Sequence, residues 1–147
     1  MRIRTFGASD RATAMVEFAI VLPVLLLIVF GIVDFGRALY TLNDLTAAAR
    51  EGARKASVQL PDPTTAAVQS TVKSVVKSYV IAFGGDSLTN SGINVTFSPS
   101  TSTATLQSIT VTIVNYPFRP ITPLAGMIGM GTITMSPSAT FRWEAAP

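Results

Sequence analysis

From Phe18 to Val33 the chain carries no charged residue. An uncharged apolar stretch of that kind must be buried in protein or placed in lipid. Its 16 residues, built as a helix at about 1.5 Å each, reach about 24 Å, slightly less than a ~30 Å hydrocarbon core. Counting back to Ala12 gives 22 residues, long enough to span, but takes in Glu17. Glu17 therefore either lies near the cytoplasmic interface or has a partner inside. Pro23 removes one helical hydrogen bond and should kink or loosen the helix, which membrane helices tolerate better than soluble ones. A cleaved secretory signal fits poorly. No small-x-small site closes the run, which passes directly into Gly31-Ile-Val-Asp34-Phe-Gly36. The expectation is a helix that crosses a membrane and meets its lipid.

The flanks set its direction. Arg2, Arg4 and Arg11 against Asp10 make the first twelve residues basic, and an excess of positive charge beside a span stays in the cytoplasm. The whole chain has net charge +3, so little basicity remains elsewhere. That distribution excludes a nucleic-acid groove. Charged residues make up only 13%, roughly half the usual ~25%. The deficit fits contact with lipid or a polymeric partner. It also fits a secreted domain rich in Ser and Thr.

Beyond Asp34 the apolar residues keep helical spacing. Ile32, Phe35, Leu39, Leu42, Leu45 and Ala49 recur at intervals of three and four, a stripe along one face. Asp34 and Arg37 form an i,i+3 pair, read as marking the exit from the membrane. Glu51 and Lys55 form an i,i+4 pair in the favourable order. The cluster Arg50, Glu51, Arg54 and Lys55 reads as a solvated face. The helix should end near Ser57 to Gln59, ahead of Pro61 and Pro63.

The remaining chain reads as a small α+β head. Leu60 to Thr65 is a turn, with Thr64 or Thr65 placed to cap a second helix. Val68, Val72, Val75, Val76, Tyr79, Val80 and Phe83 follow helical spacing, and Gly84-Gly85 should stop it. After Gly92 the period becomes two: Ile93, Val95, Phe97; Ile109, Val111, Ile113; Ile133, Met135; Ala139, Phe141, Trp143. These are half-buried strand patterns. Ser98 to Thr103 is a hairpin turn, and Tyr116 to Gly131, with three prolines, is a long crossing loop. The predicted fold is α+β. It has a long N-terminal stalk helix, a second helix, and an antiparallel sheet of three to four strands packed on both. The expected division is residues 1–12 as leader or cytoplasmic tail, 13–57 as stalk, and 58–147 as extracytoplasmic head.

No catalytic constellation emerges. The chain has no His and no Cys, which removes the common triads and the commonest metal ligand. Asp62, Asp86 and Glu144 lack metal-ligand spacing, and no phosphate-binding Gly motif is present. Neither a metal nor another cofactor is called for, and the expectation is a structural protein rather than an enzyme.

Four blocks carry a family resemblance. They are Arg11-Ala-Thr-Ala-Met-Val-Glu-Phe-Ala19, the apolar run with Leu22-Pro23, Gly31-Ile-Val-Asp-Phe-Gly-Arg37, and Ala47-Ala-Ala-Arg-Glu-Gly-Ala-Arg54. In this order they resemble TadE-like proteins, pseudopilins of the tight-adherence (Flp-type) pilus system. The closing segment Ile133 to Glu144 is similar to the family's last strand. The resemblance implies a minor pilin that takes part in pilus assembly and supports surface adhesion. Its place is the bacterial inner membrane, N-terminus inside, with incorporation in a surface pilus as a further outcome.

It also implies partners: a prepilin peptidase, other pilin subunits and the assembly machinery. The peptidase cuts so that a Glu becomes the fifth mature residue, which places the junction between Ala12 and Thr13. The family usually has Gly before the cut, where this chain has Ala12. Glu17 would then pair with the new α-amino group of Thr13, on the same or a neighbouring subunit, and fix helix register. In an uncleaved chain Glu17 instead snorkels to the headgroups. The protein is then a single-span anchored binding or scaffold module.

Overall fold

The computed structural model describes residues 6–58, 65–80, 88–98, 108–122, 129 and 131–143. One helix, α1, runs from Phe6 to Ser57. At about 1.5 Å per residue its 52 residues extend nearly 80 Å. It continues through Pro23 and begins well before residue 13, so part of the basic segment is itself helical. The end at Ser57 matches the expected stop.

The second helix, α2, spans Ala66–Tyr79. Thr65 caps it, its side-chain oxygen accepting from the Val68 N–H at 3.4 Å, a job suited to a hydroxyl in extended backbone. Val72 and Val76 are fully buried. The turn expected at 60–64 and the 99–103 part of the hairpin turn lie outside the described residues. The helix stops earlier than expected: it ends at Tyr79 and Val80 is already extended. The helical spacing read on through Val80 to a stop at Gly84-Gly85 is therefore corrected, a β-branched valine giving the last turn little support.

A single 3-10 turn, Asn90–Gly92, leads into β1, Ile93–Ser98. Then come β2, Ser108–Ile113, β3, Tyr116–Phe118, β4, Ile133–Met135, and β5, Ser138–Arg142. The strands β1-β2-β5 form one antiparallel sheet and β3-β4 a separate two-stranded ribbon. In the larger sheet Val95, Val111 and Ala139 lie in one row, and Phe97, Ile109 and Phe141 in another. On the opposite face Thr96, Thr110 and Thr140 align, and the Thr110 and Thr140 hydroxyls share a 2.8 Å hydrogen bond. Alternation of this kind gives a sheet one buried and one solvated face.

The segment from Tyr116 to Gly131 corrects one expectation, because its first three residues are strand. Tyr116 pairs with Met135 and Phe118 with Ile133, and both aromatic residues are buried. Pro117 is tolerated because a two-stranded ribbon has an outer side where the missing N–H costs nothing.

The core is formed by the C-terminal part of α1, α2 and the buried sheet face. Leu45, Ala48, Ala49, Ala53 and Ala56 of α1 meet Val72, Val76, Ile109, Val111 and Ile113. The expected apolar stripe divides here. Leu45 and Ala49 belong to the core, whereas Ile32, Phe35, Leu39 and Leu42 remain exposed.

Candidate functional site

The N-terminal half of α1 is largely apolar and uncovered. From Arg11 through Val21 every side chain is exposed, and Val24 to Phe30 are 42–58% exposed. The most apolar window of this helix has none of its residues buried in the protein. A soluble core helix would be covered by its own fold. A helix left bare over this length fits a single-pass membrane protein.

Glu17 lies on this bare section and is exposed. Ala12 and Thr13 are also exposed and sit inside the continuous helix. Thr13 and Glu17 are four residues apart, one turn on the same helix face. Both lie on a surface open to a neighbour.

Asp34 and Arg37 are drawn together by the helix repeat. Arg37 donates to Asp34 Oδ1 at 3.2 Å. Sequence spacing predicted that pair but not its second half. The Ile121 N–H donates to Asp34 Oδ1 at 3.0 Å. Asp34 Oδ2 receives the Thr122 N–H at 3.0 Å and the Thr122 hydroxyl at 2.6 Å. The Arg37 guanidinium stands 5.4 Å from the Phe118 ring centroid, within cation–π range. The Asp34 carboxylate accepts from four donors, one from Arg37, one from Ile121 and two from Thr122. The end of the apolar run is thus a docking point between α1 and residues 121–122. The only sequence hint was a carboxylate at the end of an apolar run.

Further out, Arg54 reaches back to Glu51, its Nε at 2.8 Å from Oε2. The partner is Arg54 rather than Lys55, and the Glu51 carboxyl is held below its ordinary range first by that hydrogen bond. Such an exposed pair contributes little to stability.

A cleft of about 220 Å³ is lined by Leu88, Thr89, Gly92, Val114, Asn115, Tyr116 and Pro117. It is smaller than usual ligand sites of roughly 300–1,000 Å³ and presents no carboxylate or amine. Among the described residues no cluster of acidic groups could hold a metal ion.

Residues 12–54 match the family model described as TadE-like protein. The matched segment lies entirely within α1, and it bears out the resemblance drawn from the four sequence blocks. The family is structural and pilus-associated, so the match suggests a protein of the tight-adherence pilus system. No curated protein and no solved structure matches the chain.

Proposed function

We propose that the chain is a minor pilin or pseudopilin that helps assemble a tight-adherence pilus and so supports adhesion. The observation that carries this reading is the coincidence of the TadE-like match with a helix whose apolar half is bare. Such a helix needs lipid before assembly and other helices after it. In this reading residues 1–12 are the leader, cut by a prepilin peptidase between Ala12 and Thr13. Glu17 then neutralises the new α-amino group of Thr13 on its own or an adjoining subunit. Asp34 and Arg37 mark the exit from the inner membrane, and residues 58–147 form the extracytoplasmic head that meets other pilus components.

A second reading is favoured by one specific feature. Ala12 stands where the family usually has Gly, within a helix that runs unbroken through the junction. An uncleaved chain would remain a single-span anchor presenting its head as a binding or scaffold module.

Intact mass and N-terminal sequencing of the membrane-extracted protein separate the two. The pilin reading expects a chain beginning at Thr13. Retention of Met1 in cells with an active prepilin peptidase would overturn the processed form.

A further inference from the structure

The apolar run of α1 ends at Val33, and the next residue is the one on which the head rests. Asp34 accepts hydrogen bonds from the Ile121 N–H, the Thr122 N–H, the Thr122 hydroxyl and Arg37. The backbone of residues 121–122 is therefore held at the height where the run stops. The Ile121 side chain is turned away from the protein and is 70% exposed. On α1 around the same height, Ile32 is 67% and Phe35 is 66% exposed. Nothing in the chain from Pro120 to Phe141 is charged.

The height can be estimated. A ~30 Å hydrocarbon core takes about 20 helical residues. Measured from Phe18, that reaches to about Arg37. Asp34 then falls three residues short of that limit, about 4.5 Å inside the edge of the hydrocarbon core, and the backbone bonded to it lies near the same edge. A carboxylate at that depth is costly unless donors satisfy it, and Asp34 has four.

We infer that Ile121, held by Asp34, forms a second contact with the membrane beside the span. It enters the headgroup–acyl boundary of the leaflet on the head's side, next to Ile32 and Phe35. The occupant of this surface is lipid, argued from its continuity with the bare helix. The inference rests on residues 18–33 crossing the bilayer. Its consequence is mechanical: the head is fixed against the membrane at two points rather than hinged on one helix. Withdrawal of the subunit from the bilayer must free both.

The chain contains no cysteine, which makes the test direct. Full-length Ile121→Cys, Val24→Cys and Ser74→Cys proteins are each labelled with an environment-sensitive NBD fluorophore. They are placed in nanodiscs of phosphatidylethanolamine and phosphatidylglycerol. At 121 the expected result is a blue-shifted emission, loss of signal with lipid spin-labelled near the headgroup, and protection from aqueous iodide. At 24 only deep spin labels should quench, and at 74 only iodide. Behaviour at 121 like that at 74, with 24 still reporting deep lipid, overturns the contact and leaves the span intact. Absence of lipid quenching at 24 overturns the span itself. Protection at 121 that grows with protein per disc, without lipid quenching, assigns the surface to a second copy and overturns the lipid contact. Adding Asp34→Ala should reduce shallow quenching at 121 and leave 24 unchanged. Unchanged quenching at 121 overturns the holding role of Asp34.

Discussion

Asp34 and Thr122 are 88 positions apart in the chain, yet one carboxylate oxygen takes both the backbone N–H and the hydroxyl of that threonine. The contact closes the head onto the stalk at the end of the apolar run. Hydrogen bonds to a charged group contribute about 1.5–3 kcal/mol each when buried, and bonds sharing one carboxylate are not additive. Asp34 has 13% of its side chain exposed, so screening is partial.

Replacing this carboxylate should loosen the loop without unfolding the head. Asp34→Ala is expected to destabilise the docked segment by about 2 kcal/mol, an increase of roughly 30-fold in local opening. Hydrogen exchange of the full-length protein in detergent, followed over residues 116–122, reads this directly. Residues 72–76, in the core, should keep their protection. Equal acceleration in both regions would mean that Asp34 supports the whole head rather than one loop.

How much of this was legible beforehand depended on the range of the interaction. Periodicity located α1, α2 and the strands because burial of one face repeats locally, every three to four residues or every two. Ile109, Val111 and Ile113 show the simplest case, all three fully buried. The stripe from Ile32 to Ala49 was visible, but its division into bare and packed parts was not. Which residues meet a partner depends on where the head folds back. The packed face is largely alanine, and hydrophobic pattern alone gives small residues little weight. Tyr116 to Phe118 was obscured by the prolines around it, which signal loops and yet suit the edge of a ribbon. The bond between Asp34 and Thr122 spans most of the chain, and no local pattern encodes it.

Gly52 illustrates that second limit. As a helical glycine it should cost about 1 kcal/mol relative to Ala, so Gly52→Ala looks favourable from sequence. In the fold an added Cβ would collide with Val76 Cγ2 and lie 3.5 Å from Val72 and 3.6 Å from Val111. Overpacking of this kind costs about 1–3 kcal/mol, which exceeds the propensity gain. Gly52→Ala should therefore lower the melting temperature of the full-length protein in detergent. A double-mutant cycle with Val76→Ala should show positive coupling, the two changes together costing less than their sum. A rise in melting temperature from Gly52→Ala alone would show that α2 yields freely.

Leu45 and Leu27 test the boundary between core and lipid face. Leu45 is completely buried, while Leu27 is 45% exposed. Leu45→Ala should destabilise the head by about 2–5 kcal/mol. Leu27→Ala should leave thermal unfolding of the head unchanged, because it lies in the apolar window of α1, none of which is buried in the protein. If both shift the transition equally, the bare half of α1 is part of the cooperative fold.

Glu17 separates the roles of insertion and assembly. A carboxylate within a span opposes insertion by about 2.5–3.5 kcal/mol at mid-bilayer and by less near the interface. Its removal should therefore leave membrane placement intact or improve it. Under the proposed function the same change removes the partner of the Thr13 amine, and assembly suffers. Glu17→Ala is expected to keep normal amounts of protein in the membrane fraction while pilus-dependent surface attachment falls. Glu17→Gln, which retains shape and hydrogen bonding but not charge, should resemble Glu17→Ala if charge neutralisation is the role. It should resemble the native chain if a neutral hydrogen bond suffices. Attachment unchanged in both variants, with pili of normal length and number by electron microscopy, would leave Glu17 as a residue that merely reaches the headgroups.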